Sequence, residues 1–276
     1  MRQHGIGSTN PVAVGDIVEI ELGDEEAIAT ISSIHDRSNY IVRKSVKLSK
    51  QSHILAANID LGLVVATPEL PRTSTGFIDR FLSTAEAYSI PAGVVFNKSD
   101  LYDDVMIEYV NSLSGLYSSI GYSTFILSAL DQDTLGTLKE ALKGKTTLIA
   151  GHSGTGKSTL INALIPGLDL KTSQISAQHL KGRHTTTFAE MHEMPDGGFI
   201  IDTPGIREFG ILDFDKKEVS HFFPEIFEIS GDCKFSDCMH LTESGCAVIE
   251  ALELGKISPT RYHSYLSILE NEDVFR

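Results

Sequence analysis

The nine residues Gly151, His152, Ser153, Gly154, Thr155, Gly156, Lys157, Ser158 and Thr159 contain the pattern G-x-x-x-x-G-K-S. Glycines at these places let the backbone curl until successive N–H groups point into one concavity. At a helix N-terminus such a concavity is an anion site, because the orphan N–H groups and the helix dipole both favour negative charge. A lysine in the loop reaches β- and γ-phosphates, and the following serine hydroxyl binds Mg²⁺, so Lys157 and Ser158 are assigned those tasks. Asp202-Thr203-Pro204-Gly205 adds a carboxylate for the Mg²⁺ shell and a glycine whose backbone can approach a γ-phosphate. Asn97-Lys98-Ser99-Asp100 has the form N-K-x-D. The Asp100 carboxylate can accept from both N1–H and the exocyclic amine of guanine, a donor pair that adenine lacks, and a site built on such bonds rejects the wrong base strongly. Together the three motifs favour GTP and GDP over adenine nucleotides.

Each motif follows a short apolar run, as strand ends in an α/β sheet require. Thr147–Ala150 precedes the phosphate loop and Leu160–Leu164 continues it as a helix. Val94–Phe96 leads into Asn97, Phe199–Ile201 into Asp202, and Phe125–Leu127 into Ser128 and Ala129, the expected second guanine loop. Leu61–Ala66 reads as a strand buried on both faces. Helical periodicity is expected over 76–89, 104–120 and 135–142. Strands alternating with helices predict a doubly wound sheet with ligands at the strand C-terminal ends. The order is unusual. In the common GTPase arrangement the phosphate loop comes first and the guanine reader late. Here residues 97–100 and 128–129 precede 151–159. The same parts in rotated order describe a circularly permuted P-loop GTPase domain, which is feasible when the original termini lie close together at the surface.

Between the phosphate loop and Asp202 lies Gly182-Arg183-His184-Thr185-Thr186-Thr187, with little apolar periodicity. One of Thr185, Thr186 and Thr187 is expected to meet Mg²⁺ and γ-phosphate in a first switch. Ile206 stands where Ras-like enzymes use Gln to orient the attacking water. A hydrocarbon side chain cannot do this, so hydrolysis by the protein alone is expected to be slow. His184 is the candidate catalytic residue beside Lys157, since an imidazole can order or deprotonate a water.

Outside this region two further parts are expected. Residues 14–45 carry period-2 segments that read as three strands of a small OB-type β-barrel, a fold that commonly binds oligonucleotides. Arg43, Lys44, Lys47 and Lys50 cluster at its exit. From 213 onward the composition shifts, and Cys233-x₄-Cys238-x-His240-x₅-Cys246 supplies three thiolates and one imidazole, a closed tetrahedral set for a structural zinc. Helix-like segments over 247–254 and 260–269 flank it. The division is therefore 1–50 barrel, 51–212 permuted GTPase, and 213–276 mostly helical zinc unit.

The chain of 276 residues has a formal net charge of −14. Bulk charge therefore does not draw it to RNA, and any RNA contact must use local basic patches. No apolar run approaches the roughly 20 residues of a membrane span. Three clustered cysteines point to a reducing compartment, and the cytoplasm is expected.

These residues resemble the ribosome small-subunit-dependent GTPases (the RsgA, YjeQ or YloQ family). The resemblance rests on Asn97 to Asp100, Gly151 to Thr159, Gly182 to Thr187, Asp202 to Gly205, and the spacing of Cys233, Cys238, His240 and Cys246. It implies an OB domain, a permuted GTPase domain and a zinc domain. It also implies GTP hydrolysis stimulated by the 30S subunit, contact with its 16S rRNA, and action in late small-subunit maturation, by a chain taken to be a monomer. His184 matches the switch-loop histidine considered catalytic in the family. The segment Gly7 to Asp16 resembles the middle of the family's barrel, which implies that the first barrel strands are missing. Two rivals remain: a P-loop ATPase or kinase, which Asp100 argues against, and a non-enzymatic RNA-binding scaffold that holds guanine nucleotide, to which Ile206 gives weight.

Overall fold

The computed structural model describes residues 12–23, 29–44, 52–171, 189–203 and 215–270. Four strands come first: β1 (Val18–Leu22), β2 (Ala29–Ile34), β3 (Tyr40–Lys44) and β4 (Ser52–Ala57). They form two separate antiparallel hairpins, β1 with β2 and β3 with β4, and a single bridge joins Val14 to Ala56. Among the described residues they do not close into a barrel. The fourth strand was not expected, and its pairing with β3 runs across residue 50. Ile41 and Ala56 of this second hairpin are buried in the core of the following sheet.

The sheet that carries the phosphate loop is built next. In chain order come β5 (Leu61–Ala66), α1 (Thr75–Ala87), β6 (Ala92–Phe96), α2 (Asp104–Ile120), β7 (Ser123–Ile126), α3 (Gly136–Leu142), β8 (Thr146–Ala150), α4 (Lys157–Leu164), β9 (Glu190–Glu193) and β10 (Phe199–Asp202). The strand order is β7-β6-β5-β8-β10-β9, parallel throughout except for β9, which is antiparallel to β10. The chain walks outward from β5 to β7, then returns to place β8 on the other side of β5. The crevice between β5 and β8 is thus a topological switch point, where open α/β sheets bind ligands.

Alternation along the strands splits the apolar side chains between two layers. Val64, Val94, Phe96 and Leu148 pack under α1 and α2 with Phe77, Phe81, Leu82 and Val110. Val65, Val95, Ile149 and Ile200 pack under α3 and α4 with Leu138, Leu142, Leu160 and Ile161. Burial on both faces explains the run Leu61–Ala66 of β5, which lacks any polar residue, and the apolar end Leu148–Ala150 of β8. α1 begins at an N-cap, Ser74, whose side chain accepts from the Phe77 N–H. α2 is capped by Asp103 and ends at Gly121, in the left-handed region at φ 111°.

The C-terminal part contains α5 (Pro224–Ser230), α6 (Ala247–Glu253) and α7 (Pro259–Leu269) around its own small core of Val219, Phe223, Ile226, Val248, Ile257 and Tyr265. It docks on the sheet through α7 against α1. Arg261 of α7 is 0% exposed and lies 2.9 Å from Asp79 of α1, also 0% exposed. The same guanidinium meets Glu225 of α5 through Nε at 2.6 Å and Nη2 at 3.1 Å. Asp79 also accepts from the Ser264 hydroxyl at 2.6 Å and the Tyr117 hydroxyl at 2.9 Å. The Phe223 ring lies 4.6 Å from the guanidinium carbon.

Candidate nucleotide and metal sites

The phosphate loop turns out of β8 in a shape that only glycine can take at two positions. Gly151 has φ 145°, and a Cβ there would lie 2.4 Å from the Val65 carbonyl oxygen. Gly156 has φ 89°, and its Cβ would lie 2.5 Å from Asn97 Nδ2. α4 starts at Lys157, directly behind this curl. The Lys157 ammonium donates to the carbonyls of Gly151 at 2.7 Å and His152 at 3.0 Å. Burial lowers its pKa, and the nearby Asp202 carboxylate partly restores it. Thr155 is fully buried and its hydroxyl donates to His152 O at 2.9 Å. The His152 ring packs on Phe77 of α1 with centroids 3.8 Å apart. Ser153 is exposed, while Gly154, Ser158 and Thr159 are half-buried.

Asn97 sits at the end of β6, 1% exposed, and joins three loops with one amide. Its Nδ2 donates to Thr155 O at 2.8 Å, and its Oδ1 accepts from the Ala129 N–H at 3.0 Å. Lys98, at φ 69°, extends over the phosphate loop and donates to Gly154 O at 2.7 Å and Leu70 O at 2.6 Å. Asp100 and Ser99 lie in a short 3₁₀ turn, and the Ser128 hydroxyl donates to Asp100 Oδ1. Motifs 58 residues apart in sequence are thus hydrogen-bonded neighbours. Three supports were not singled out from the sequence. Tyr102 donates to Asn97 O at 2.7 Å, Thr134 accepts from the Ser128 N–H at 3.1 Å, and Leu70 receives Lys98. Such backbone-directed contacts leave no motif.

Asp202 ends β10, in register with Ile149 of β8, and so lies beside the base of the phosphate loop. Its Oδ1 is buried without a hydrogen-bond partner. Burial raises its pKa, opposed by Lys157 and by His192. A buried, unpartnered carboxylate oxygen next to a phosphate loop suits a cation. His184, Thr185, Thr186, Thr187, Gly205 and Ile206 lie outside the described residues.

Cys233, Cys238, His240 and Cys246 come together in the C-terminal part, their ligand atoms all within 4.8 Å of one another. His240 Nδ1 lies 3.6 Å from Cys233 Sγ and 3.5 Å from Cys246 Sγ, and those two sulfurs are 3.9 Å apart. A tetrahedral ion with metal–sulfur bonds of about 2.3 Å and metal–nitrogen bonds of about 2.0 Å requires sulfurs ~3.8 Å apart and sulfur–nitrogen separations of ~3.5 Å. Cys233, His240 and Cys246 therefore have the spacing of a tetrahedral cage, and Cys238 lies within 4.8 Å of each. The backbone of the set is held from α7: Tyr262 donates to His240 O at 2.6 Å and Tyr265 to Met239 O at 2.7 Å.

Fold and site together define a circularly permuted P-loop GTPase with a Cys₃His side-chain cluster that could hold a metal ion. The RsgA GTPase family model matches residues 34–212. The small ribosomal subunit biogenesis GTPase RsgA of Bacteroides fragilis is 56% identical over 272 residues, covering 99% of this chain and 87% of the relative. Among solved structures, YjeQ from Thermotoga maritima matches with a TM-score of 0.78 at 35% identity, over 96% of this chain and 86% of that one. YloQ, described as a circularly permuted GTPase, matches with a TM-score of 0.74 at 28% identity, over 98% and 84%. The chain belongs to the RsgA GTPase family.

Proposed function

We propose that this GTPase hydrolyses GTP to GDP and phosphate as a switch in late maturation of the small ribosomal subunit. The observation that carries the nucleotide reading is Asn97, whose buried amide ties both guanine loops to the phosphate loop. The name of the B. fragilis relative supplies the small ribosomal subunit as the partner. Asp100 selects guanine, with Asn97, Lys98, Ser99, Ser128 and Ala129 shaping its pocket. The N–H groups of residues 151–159 and the Lys157 ammonium hold the β- and γ-phosphates and meet the charge that develops as the γ-phosphoryl leaves. Ser158 and Asp202 would hold Mg²⁺, which when bound would supply charge neutralisation for the phosphates. One of Thr185, Thr186 and Thr187, together with Gly205, reads the γ-phosphate, and His184 orders the water that Ile206 cannot.

The remaining parts follow the family. The Cys₃His set holds one structural zinc, for which its spacing is suited. The N-terminal strand hairpins, the permuted GTPase domain that follows them and the zinc unit over 213–276 act as a cytoplasmic monomer on 16S rRNA. No helix among the described residues is long and apolar enough to cross a membrane. Purified 30S subunits are expected to raise GTP turnover by about tenfold or more, as a partner does when it completes an incomplete GTPase site. Turnover that is the same with and without 30S would overturn this part of the reading. Asp100→Asn tests the other part. Competition of GTP against ATP is expected to lose most of its guanine preference, which for a site built on buried base contacts amounts to about 10⁴-fold.

A further inference from the structure

β9 places two side chains beside Asp202 that no motif marks. In the antiparallel pair Glu190 stands directly opposite Asp202, and His192 directly opposite Ile200. Opposed residues, and alternate residues along a strand, project from the same face of a sheet. Ile200 packs with Leu160 and Ile161 of α4, so all four side chains lie on the face that α4 covers. α4 opens with Lys157 and Ser158.

On that face two atoms are buried with nothing to bond: Asp202 Oδ1 and His192 Nε2. A buried polar atom left unpaired forfeits the bonds it would make in water, so two on one face of one strand pair call for a ligand. His192 Nε2 lies 3.9 Å from Glu190 Oε2, too far for a hydrogen bond and close enough for one water to serve both. The charges that bear on Asp202 are Lys157, His192 and Glu190. These residues do not form a tight cage of their own. Among the described residues the converging set of ligand atoms is Cys₃His. Mg²⁺ does not need such a cage, because it keeps several of its waters and binds proteins through one or two carboxylates.

We infer that Glu190 and His192 are positioning residues for the Mg²⁺ of the GTP site, holding through hydrogen bonds the metal-bound waters on the β9 side of Asp202. The inference rests on the GTPase reading above. It assigns to β9 the orientation of the hydrated ion, while Ser158 and Asp202 supply protein ligands. Outer groups of this kind commonly change metal affinity by about 10–100-fold when removed.

The test uses the full chain with a fluorescent GDP analogue and follows its release as Mg²⁺ is titrated. Glu190→Gln and His192→Phe are each expected to raise the Mg²⁺ concentration needed for half-maximal retention by about tenfold. Affinity for the analogue in excess EDTA should stay unchanged, and His192→Gln, which keeps a hydrogen-bonding group, should remain close to wild type. Unchanged Mg²⁺ midpoints in the folded variants would overturn the inference. So would an equal loss of affinity in EDTA, which would mean that β9 shapes the loop and not the ion. Should His192→Phe fail to fold, Glu190→Gln decides, since that side chain is 54% exposed. Failure of the GTPase reading looks different: the wild-type protein would not retain the GDP analogue at any Mg²⁺ concentration.

Discussion

Arg261→Ala is expected to destabilise the folded chain by about 3–5 kcal/mol, the usual cost of removing one partner from a buried ion pair. The reason lies in what stays behind. Asp79 is 0% exposed and burial pushes its pKa up, while Arg261, Ser264 and Tyr117 pull it down. Without the guanidinium, only two hydroxyls face that carboxylate, and Glu225 loses both of its arginine bonds. Asp79 must then take up a proton or draw water between α1 and α7. Urea unfolding followed by circular dichroism measures the loss. Arg261→Met combined with Asp79→Asn should cost less than Arg261→Ala alone, because fewer charges are stranded. A loss below about 1 kcal/mol for Arg261→Ala would place these groups in the regime of solvated surface pairs.

This network also shows where sequence reading stops. Arg261 and Asp79 are 182 residues apart, and each looks like an ordinary charge on an amphipathic helix. Nothing local signals that α7 presses that face of α1 inward. The nucleotide loops are the opposite case. Their chemistry demands fixed residues at fixed spacing, so Asn97 to Asp100, Gly151 to Thr159 and Asp202 could be singled out as candidates without coordinates, and the structure brings them side by side. So could the strands that carry them: the apolar run expected over 61–66 is β5. The helix expected over 104–120 is α2, bounded by its Asp103 cap and Gly121. The Cys₃His cluster was legible because its four donors happen to lie close together in the chain, between Cys233 and Cys246, as is typical of small structural metal sites.

The edges of the sheet were harder to read. β4 is six residues long and joins the sheet's own core through Ala56, so its apolar run merged with what followed. β9, four residues with Glu at both ends, lacks any apolar run, because as an edge strand it has only one neighbour. That is why Glu190 and His192 were not singled out, although they flank Asp202. The period-2 segments of 14–45 did become strands, but alternation specifies a strand and not its partners. Two hairpins and a closed barrel share the same pattern.

Lys157→Ala is expected to reduce GTP turnover by about 10²–10³-fold, the loss seen when one preorganised donor to a developing oxyanion is removed. Its effect on stability should have the opposite sign or be close to zero. The ammonium is half-buried, and its hydrogen-bond partners are the two carbonyls of its own loop. Burial already lowers its pKa, so the fold carries this charge at a cost that phosphate binding offsets. Alanine at the first turn of α4 removes that cost and favours the helix, although Asp202 loses a nearby cation. Thermal unfolding without nucleotide should therefore show a melting temperature equal to or above wild type, while turnover measured with 30S subunits collapses. A variant that lost both would mark Lys157 as a structural residue. A variant that kept its turnover would remove the lysine from the phosphate site. Only the split, with stability retained and turnover lost, fits a buried charge kept for a ligand that brings the compensating negative charge with it.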